Sequence, residues 1–161
     1  MQGRHPRESE SVLTELMMPH YANIMGNVFG GHILSLVDRV AAVAAIRHSR
    51  KPCVTVSVDK VDFREPIHVG ELLTAFARVN FAGRTSMEVG VKIIAENVLT
   101  GDKRHTNSCY VTYVALNDKG EPTPVPPIVP ETPDEKRRYD RAAQRRASRV
   151  MDRRYDQGRG E

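Results

Sequence analysis

Tryptophan is missing from this sequence, and aromatic residues of all kinds make up only 6% of its 161 positions. A core must therefore be built mainly from Val, Ala, Ile and Leu, within an apolar content of 40%. Cysteine is scarce too. Cys53 and Cys109 stand in separate apolar segments, and we expect buried free thiols of a reducing compartment rather than a disulfide. No stretch reaches the ~20 consecutive apolar residues of a membrane-crossing helix, and the polar opening Met1–Glu10 is unlike a secretory leader. The expected setting is cytoplasmic, with no membrane partner. Charge of one sign is also lacking. The net charge is +4, and ten Lys or Arg against seven Asp or Glu place three of those charges in residues 131–161. With acids interleaved among its arginines the tail reads as a solvated charged segment, so no nucleic-acid partner is expected.

What remains is enough for one domain. Residues 1–10 read as a polar lead-in, 11–130 as the folded domain and 131–161 as a charged tail. Six of the ten prolines fall in residues 121–133, an extended exit from the domain. In the tail, Tyr139, Ala143, Ala147, Val150, Met151 and Tyr155 recur every three or four residues, which fits either a docked helix or a fraying one. After Gly30-Gly31 a long helix is expected. It has no polar residue from Val40 to Ile46, so it reads as apolar all round and enclosed. The rest reads as strands: a short one within 11–18, then Val54/Val56/Val58, with a bend near Asp59-Lys60 before Val61 and Phe63. Leu73–Phe81, Met87–Ala95 and Cys109–Ala115 alternate in turn, separated by glycine turns. The implied fold is α+β: one long helix wrapped by a five-stranded antiparallel sheet. Its open strand edges favour oligomers.

Chemistry concentrates near the helix start. Gly30-Gly31 has no Ser, Thr or Asp in the capping position, so the first N–H groups are available to another acceptor, such as an oxygen gaining charge; the alternative is a sharp turn into a crowded helix. Asp38 shares a helix row with Leu34, Ala41 and Ala45, where a carboxylate needs partners or a task; the alternative is a rim position. It lies about 10 Å along the axis from Gly31. Asn27 stands in the preceding loop. His32 adjoins the glycines, with packing as its alternative role. Arg84, Thr85 and Ser86 open a strand and are suited to phosphate, or to an ordinary hairpin turn. No Gly-x-Ser-x-Gly elbow and no metal-ligand spacing occur.

The stretch Met18-Pro19…Asn23…Gly26-Asn27-Val28-Phe29-Gly30-Gly31…Asp38 resembles the signature of the hotdog-fold acyl-CoA thioesterases, the cytosolic acyl-CoA hydrolase group. The likeness continues through Val54–Asp59, Pro66–Gly70 and Gly83–Glu88, and covers roughly residues 11–128. The resemblance implies a hotdog fold and hydrolysis of acyl-CoA to acid and CoA. It implies that the Gly31 and His32 N–H groups polarise the thioester carbonyl beside Gly30, that Asp38 activates water or attacks directly, and that Asn27 acts from the facing subunit. It also implies that Arg84, Thr85 and Ser86 contact CoA. The expected assembly is a homodimer or a trimer of dimers, with no cofactor other than the CoA of the substrate. An acyl-CoA-binding sensor on this fold, or a hotdog hydratase using His32, are the competing readings.

Overall fold

Residues Gly30–Ser49 form one helix, α1, in the computed structural model, which describes residues 1–157 and side chains as far as Asp152. The segment has no proline and no glycine after Gly31, and it is rich in alanine and leucine, the best helix formers. It ends where Arg50 turns left-handed (φ 56°) and its N–H closes on the Ile46 carbonyl at 2.7 Å. Ile33, Leu36, Val37, Val40, Ala41, Ala44 and Ala45 are buried, three or four residues apart as one helical face requires. The opposite face corrects the enclosed helix read from the sequence. Val43 and Ile46 are 41% and 44% exposed, so only one side of α1 packs within this chain.

The sheet that α1 covers has five strands, β1 Ser11–Leu16, β2 Cys53–Asp59, β3 Leu72–Ala82, β4 Ser86–Glu96 and β5 Lys103–Ala115. All pair antiparallel in the order β1-β3-β4-β5-β2, which leaves β1 and β2 as edges. This is the α+β hotdog architecture expected. Strand alternation turns Ala75, Ala77 and Val79, then Val89, Val91 and Ile93, then Cys109, Val111 and Tyr113 toward α1, and all are buried. The bend expected near Asp59-Lys60 is resolved into two features. The register of β2 slips between Thr55 and Ser57, and the chain leaves the sheet at Lys60, which has φ 51°. Phe63 is therefore not a strand residue. Its ring packs on Gly30 instead, where a Cβ would approach to 3.3 Å.

The tail is a docked helix, α2, Pro133–Gln157, lying on the sheet face away from α1. Its docking face differs from the apolar stripe read from the sequence. Val150 and Met151 are exposed, while Tyr139 packs 5.1 Å from Phe81, Ala142 is fully buried and Arg145 lies 3.6 Å over the Tyr110 ring. Ion pairs complete the contact. Glu88, 1% exposed, accepts from Arg145 at 2.6 Å and Arg149 at 3.2 Å, and Arg149 also reaches Asp59 at 2.6 Å. The Tyr155 side chain and residues 158–161 lie outside the described residues. No described helix is long and apolar enough to cross a membrane.

Candidate active site

Phe29 occupies the capping position of α1 and gives no side-chain cap. Its carbonyl accepts from the His32 N–H at 3.1 Å and the Ile33 N–H at 3.3 Å. The first turn is tightened by this, and the N–H groups of Gly30 and Gly31 have no acceptor among the described residues. The two glycines differ in surroundings. Gly30 is pressed by Phe63, whereas a Cβ at Gly31 would meet nothing within 4 Å. Gly31 thus opens an unsatisfied N–H toward solvent at the positive end of a 20-residue helix. Of the donors expected here, Gly31 remains open while the His32 N–H is engaged. The His32 ring also has partners: Nε2 is 2.6 Å from Glu15 Oε2, and the ring stacks on Tyr21 at 3.6 Å.

Asp38 is the ninth residue of the helix and is exposed, at the rim of the buried face and not on a core row as the sequence spacing suggested. Two hydroxyls hold it. Thr55 of β2 and Tyr113 of β5 each reach the same carboxylate oxygen, Oδ1, at 2.7 Å, and the single Tyr113 hydroxyl proton is shared between Oδ1 and the Asp38 main-chain carbonyl at 2.8 Å. Burial, followed by the bond to Asp38, pushes the Tyr113 phenol well above its ordinary value, so it remains a donor at any working pH. Oδ2 is left without a protein partner among the described residues. Thr55 and Tyr113 are the residues that sequence reasoning missed in this site. One signal was present, since a tyrosine in an otherwise apolar run must place its hydroxyl against a partner.

Asn27 is held in a shaped loop. Asn23 Oδ1 accepts from the N–H groups of Met25 (2.9 Å) and Asn27 (3.2 Å), and Gly26 supplies the positive φ of 79° that closes the turn. Asn27 Oδ1 lies 3.1 Å from His68 Nδ1, a partner the sequence did not indicate. No hydrogen bond joins Asn27 to Asp38 within the chain. Arg84, Thr85 and Ser86 form the β3–β4 hairpin. The Ser86 carbonyl accepts from the Gly83 N–H at 2.8 Å and the Arg84 carbonyl from the Val125 N–H at 3.0 Å, while the Arg84 side chain is exposed. Because Met87 pairs with Tyr113, the hairpin lies at the end of the sheet that carries Asp38.

Residues 25–101 match the family model described as the Thioesterase superfamily. The chain is similar to the uncharacterized acyl-CoA thioester hydrolase YkhA of Bacillus subtilis, 38% identical over 154 residues, 96% of this chain and 90% of that one. Its fold is similar to that of an acyl-CoA hydrolase from Bacillus cereus (TM-score 0.91, 38% identity, 98% of this chain and 96% of the other). It is similar also to a hexameric acyl-CoA thioesterase (TM-score 0.90, 38% identity, 94% and 97%). A third likeness is to an acyl-CoA hydrolase from Staphylococcus aureus in complex with butyryl-CoA and CoA (TM-score 0.86, 34% identity, 98% and 99%).

Proposed function

Given that the chain belongs to the acyl-CoA thioester hydrolases of the Thioesterase superfamily, we propose that Asp38 is its catalytic carboxylate, working on acyl-CoA through Oδ2. The protein is an acyl-CoA thioester hydrolase. The observation that carries the assignment of Asp38 is the pair of hydroxyls on Oδ1. Thr55 and Tyr113 occupy one carboxylate oxygen and hold the group, leaving the other oxygen unpartnered among the described residues. Oδ2 takes a proton from a water whose oxygen bonds to the thioester carbon. The carbonyl oxygen gains charge beside the Gly31 N–H, with Gly30 and the first turn behind it. The C–S bond then breaks, and the proton on Asp38 passes to the departing CoA thiolate. Neither a metal nor a redox cofactor enters this sequence. Arg84, with Thr85 and Ser86, holds CoA phosphate at the adjacent hairpin.

In this reading Gly31 and Asp38 of one chain, about 10 Å apart along α1, serve different sites of a homodimer, and Asn27 acts on a water facing the partner's Asp38. Apolar groups that this chain leaves uncovered support this: Val43 and Ile46 on α1, Val54, Val56 and Val58 along the edge strand β2, and Ile24 and Phe29 in the loop before the helix. Three such dimers would make a hexamer, the number of subunits in the hexameric relative. The free thiols Cys53 and Cys109 suit a reducing cytoplasm. The decisive experiment is Asp38→Asn, which keeps shape and removes the base. Thiol release from acyl-CoA should fall roughly 100-fold or more with the oligomer intact, and unchanged turnover would refute the role.

A further inference from the structure

Residues 66–71 form a turn behind the loop that carries Asn27, and a buried carboxylate organises it. Glu71 is 8% exposed. Its Oε2 accepts from the His68 N–H at 2.8 Å and from Arg104 of β5 at 2.6 Å, and its Oε1 accepts from the same guanidinium nitrogen at 2.8 Å. Arg104 donates further to the Pro66 carbonyl at 3.0 Å and to Glu65 at 2.8 Å, so one side chain reaches both ends of the turn. Gly70 supplies a positive φ of 90° and donates its N–H to the Met17 carbonyl at 2.7 Å, while the Met17 N–H donates to the Glu71 carbonyl at 2.9 Å. A buried ion pair adds little net stability over apolar packing of the same volume. What it does supply is a fixed geometry, because charge-assisted bonds are short and directional.

The turn in turn holds the Asn27 loop. The Val28 N–H donates to the Ile67 carbonyl at 2.8 Å, and Asn27 and His68 face each other as an antiparallel bridge. Across that bridge His68 Nδ1 lies 3.1 Å from Asn27 Oδ1. An amide oxygen only accepts, so Nδ1 carries the proton, and the Asn27 NH2 group is left for another acceptor. Asn23 grips the main chain of the same residue, accepting from the Asn27 N–H at 3.2 Å and donating to the Asn27 carbonyl at 2.6 Å. Only Val28 and Phe29 separate this anchor from Gly30-Gly31.

We infer that Glu71, Arg104 and His68 are positioning residues for the hydrolysis. Glu71 and Arg104 fix the turn, and His68 fixes the Asn27 amide and with it the loop that leads to the helix start. The inference rests on the reading that the Asn27 loop serves the partner's site. The proposed CoA contacts of the same chain, at Arg84, lie at the opposite end of the sheet, since Arg104 pairs with Ala95 and Ser86 with Val114. A displaced loop therefore slows the chemical step and leaves binding of the substrate in place.

The test is steady-state thiol release from acyl-CoA by the assembled protein, with thermal melting alongside. His68→Leu should lower kcat roughly 10-fold, with KM and melting temperature nearly unchanged. His68→Asn sets an N–H as far from the main chain as Nδ1 and should restore most of the loss. In an Asn27→Ala background His68→Leu should cost nothing more, because the bond it removes is already gone. Glu71→Gln and Arg104→Lys should each lower kcat more than they raise KM. Full turnover in His68→Leu, with Asn27→Ala slow, would overturn the role of His68 while the loop keeps its own. Full turnover in Asn27→Ala would overturn both. Losses that add in the double variant, or no recovery in His68→Asn, would show that His68 does not act through the amide. Full turnover in both Glu71→Gln and Arg104→Lys would remove the ion pair from the account.

Discussion

Thr55 and Tyr113 do different physical work on the same oxygen of Asp38. Thr55 stands on an exposed edge strand and gives a hydroxyl that rotates freely, whereas Tyr113 is 1% exposed and reaches the carboxylate from inside the core. Removing the tyrosine hydroxyl also leaves the Asp38 main-chain carbonyl without that donor. Tyr113→Phe should therefore lower turnover roughly 10-fold or more and cost about 1 kcal/mol of stability, read by thiol release and thermal melting. Thr55→Val keeps the shape of the side chain and removes only its hydrogen bond to Oδ1, so turnover should fall with little change in melting temperature. Equal, negligible effects of both changes on turnover would mean that the hydroxyls only pack the carboxylate. At this scale Asp38 and the glycine pair stand out in the sequence, because a carboxylate in an apolar helix and an uncapped start are local oddities. Thr55 and Tyr113 do not, because their partner is 17 and 75 residues away.

The elements carry two tethers that local pattern does not announce. At the C-terminal end of α1, His48 is fully buried with Nε2 2.8 Å from the Pro126 carbonyl, tying the helix to the proline-rich segment. Burial pulls its pKa below the ordinary value, only partly countered by that hydrogen bond. The unfolded chain then binds the proton more readily than the fold. Stability from this group is present above the ordinary histidine value, about 6.5, and falls as pH drops below it. Melting temperature should decline between pH 7 and 5 less steeply in His48→Gln than in the parent; parallel curves would remove His48 from the account. The second tether is α2, whose ion pairs reach Glu88 and Asp59. Of the periodic apolar stripe, Tyr139 does dock, but Val150 and Met151 stay exposed and the rest of the docked face is Ala142 and arginines, since the sheet surface beneath offers a buried carboxylate.

For the whole molecule the proposed dimer rests on what a single chain leaves uncovered. The outer face of α1, with Val43 and Ile46, and the edge strand β2, with Val54, Val56 and Val58, present apolar side chains that this chain leaves uncovered. If Asn27 of one chain serves Asp38 of the other, then mixing Asp38→Asn with Asn27→Ala subunits under exchange conditions gives dimers with one doubly damaged site and one intact site. Activity should return to a measurable fraction of the parent. With exchange verified by mass spectrometry, a mixture as inactive as its two components would show that the residues do not act across the interface.

The sequence by itself determined the class of fold, the helix and the four long strands, because periodicity and glycine turns are properties of short stretches. It also marked the helix start and Asp38, and the family signature around them. The tertiary structure alone decided which side of α1 is covered, that α2 docks and through which side chains, and which hydroxyls hold Asp38. It also joined Glu71 and Arg104 behind the Asn27 loop. Each of these depends on residues brought together from distant parts of the chain. A face reads as apolar in sequence whether its own sheet or a second subunit covers it, and an arginine reads as solvated until the carboxylate it meets is in place.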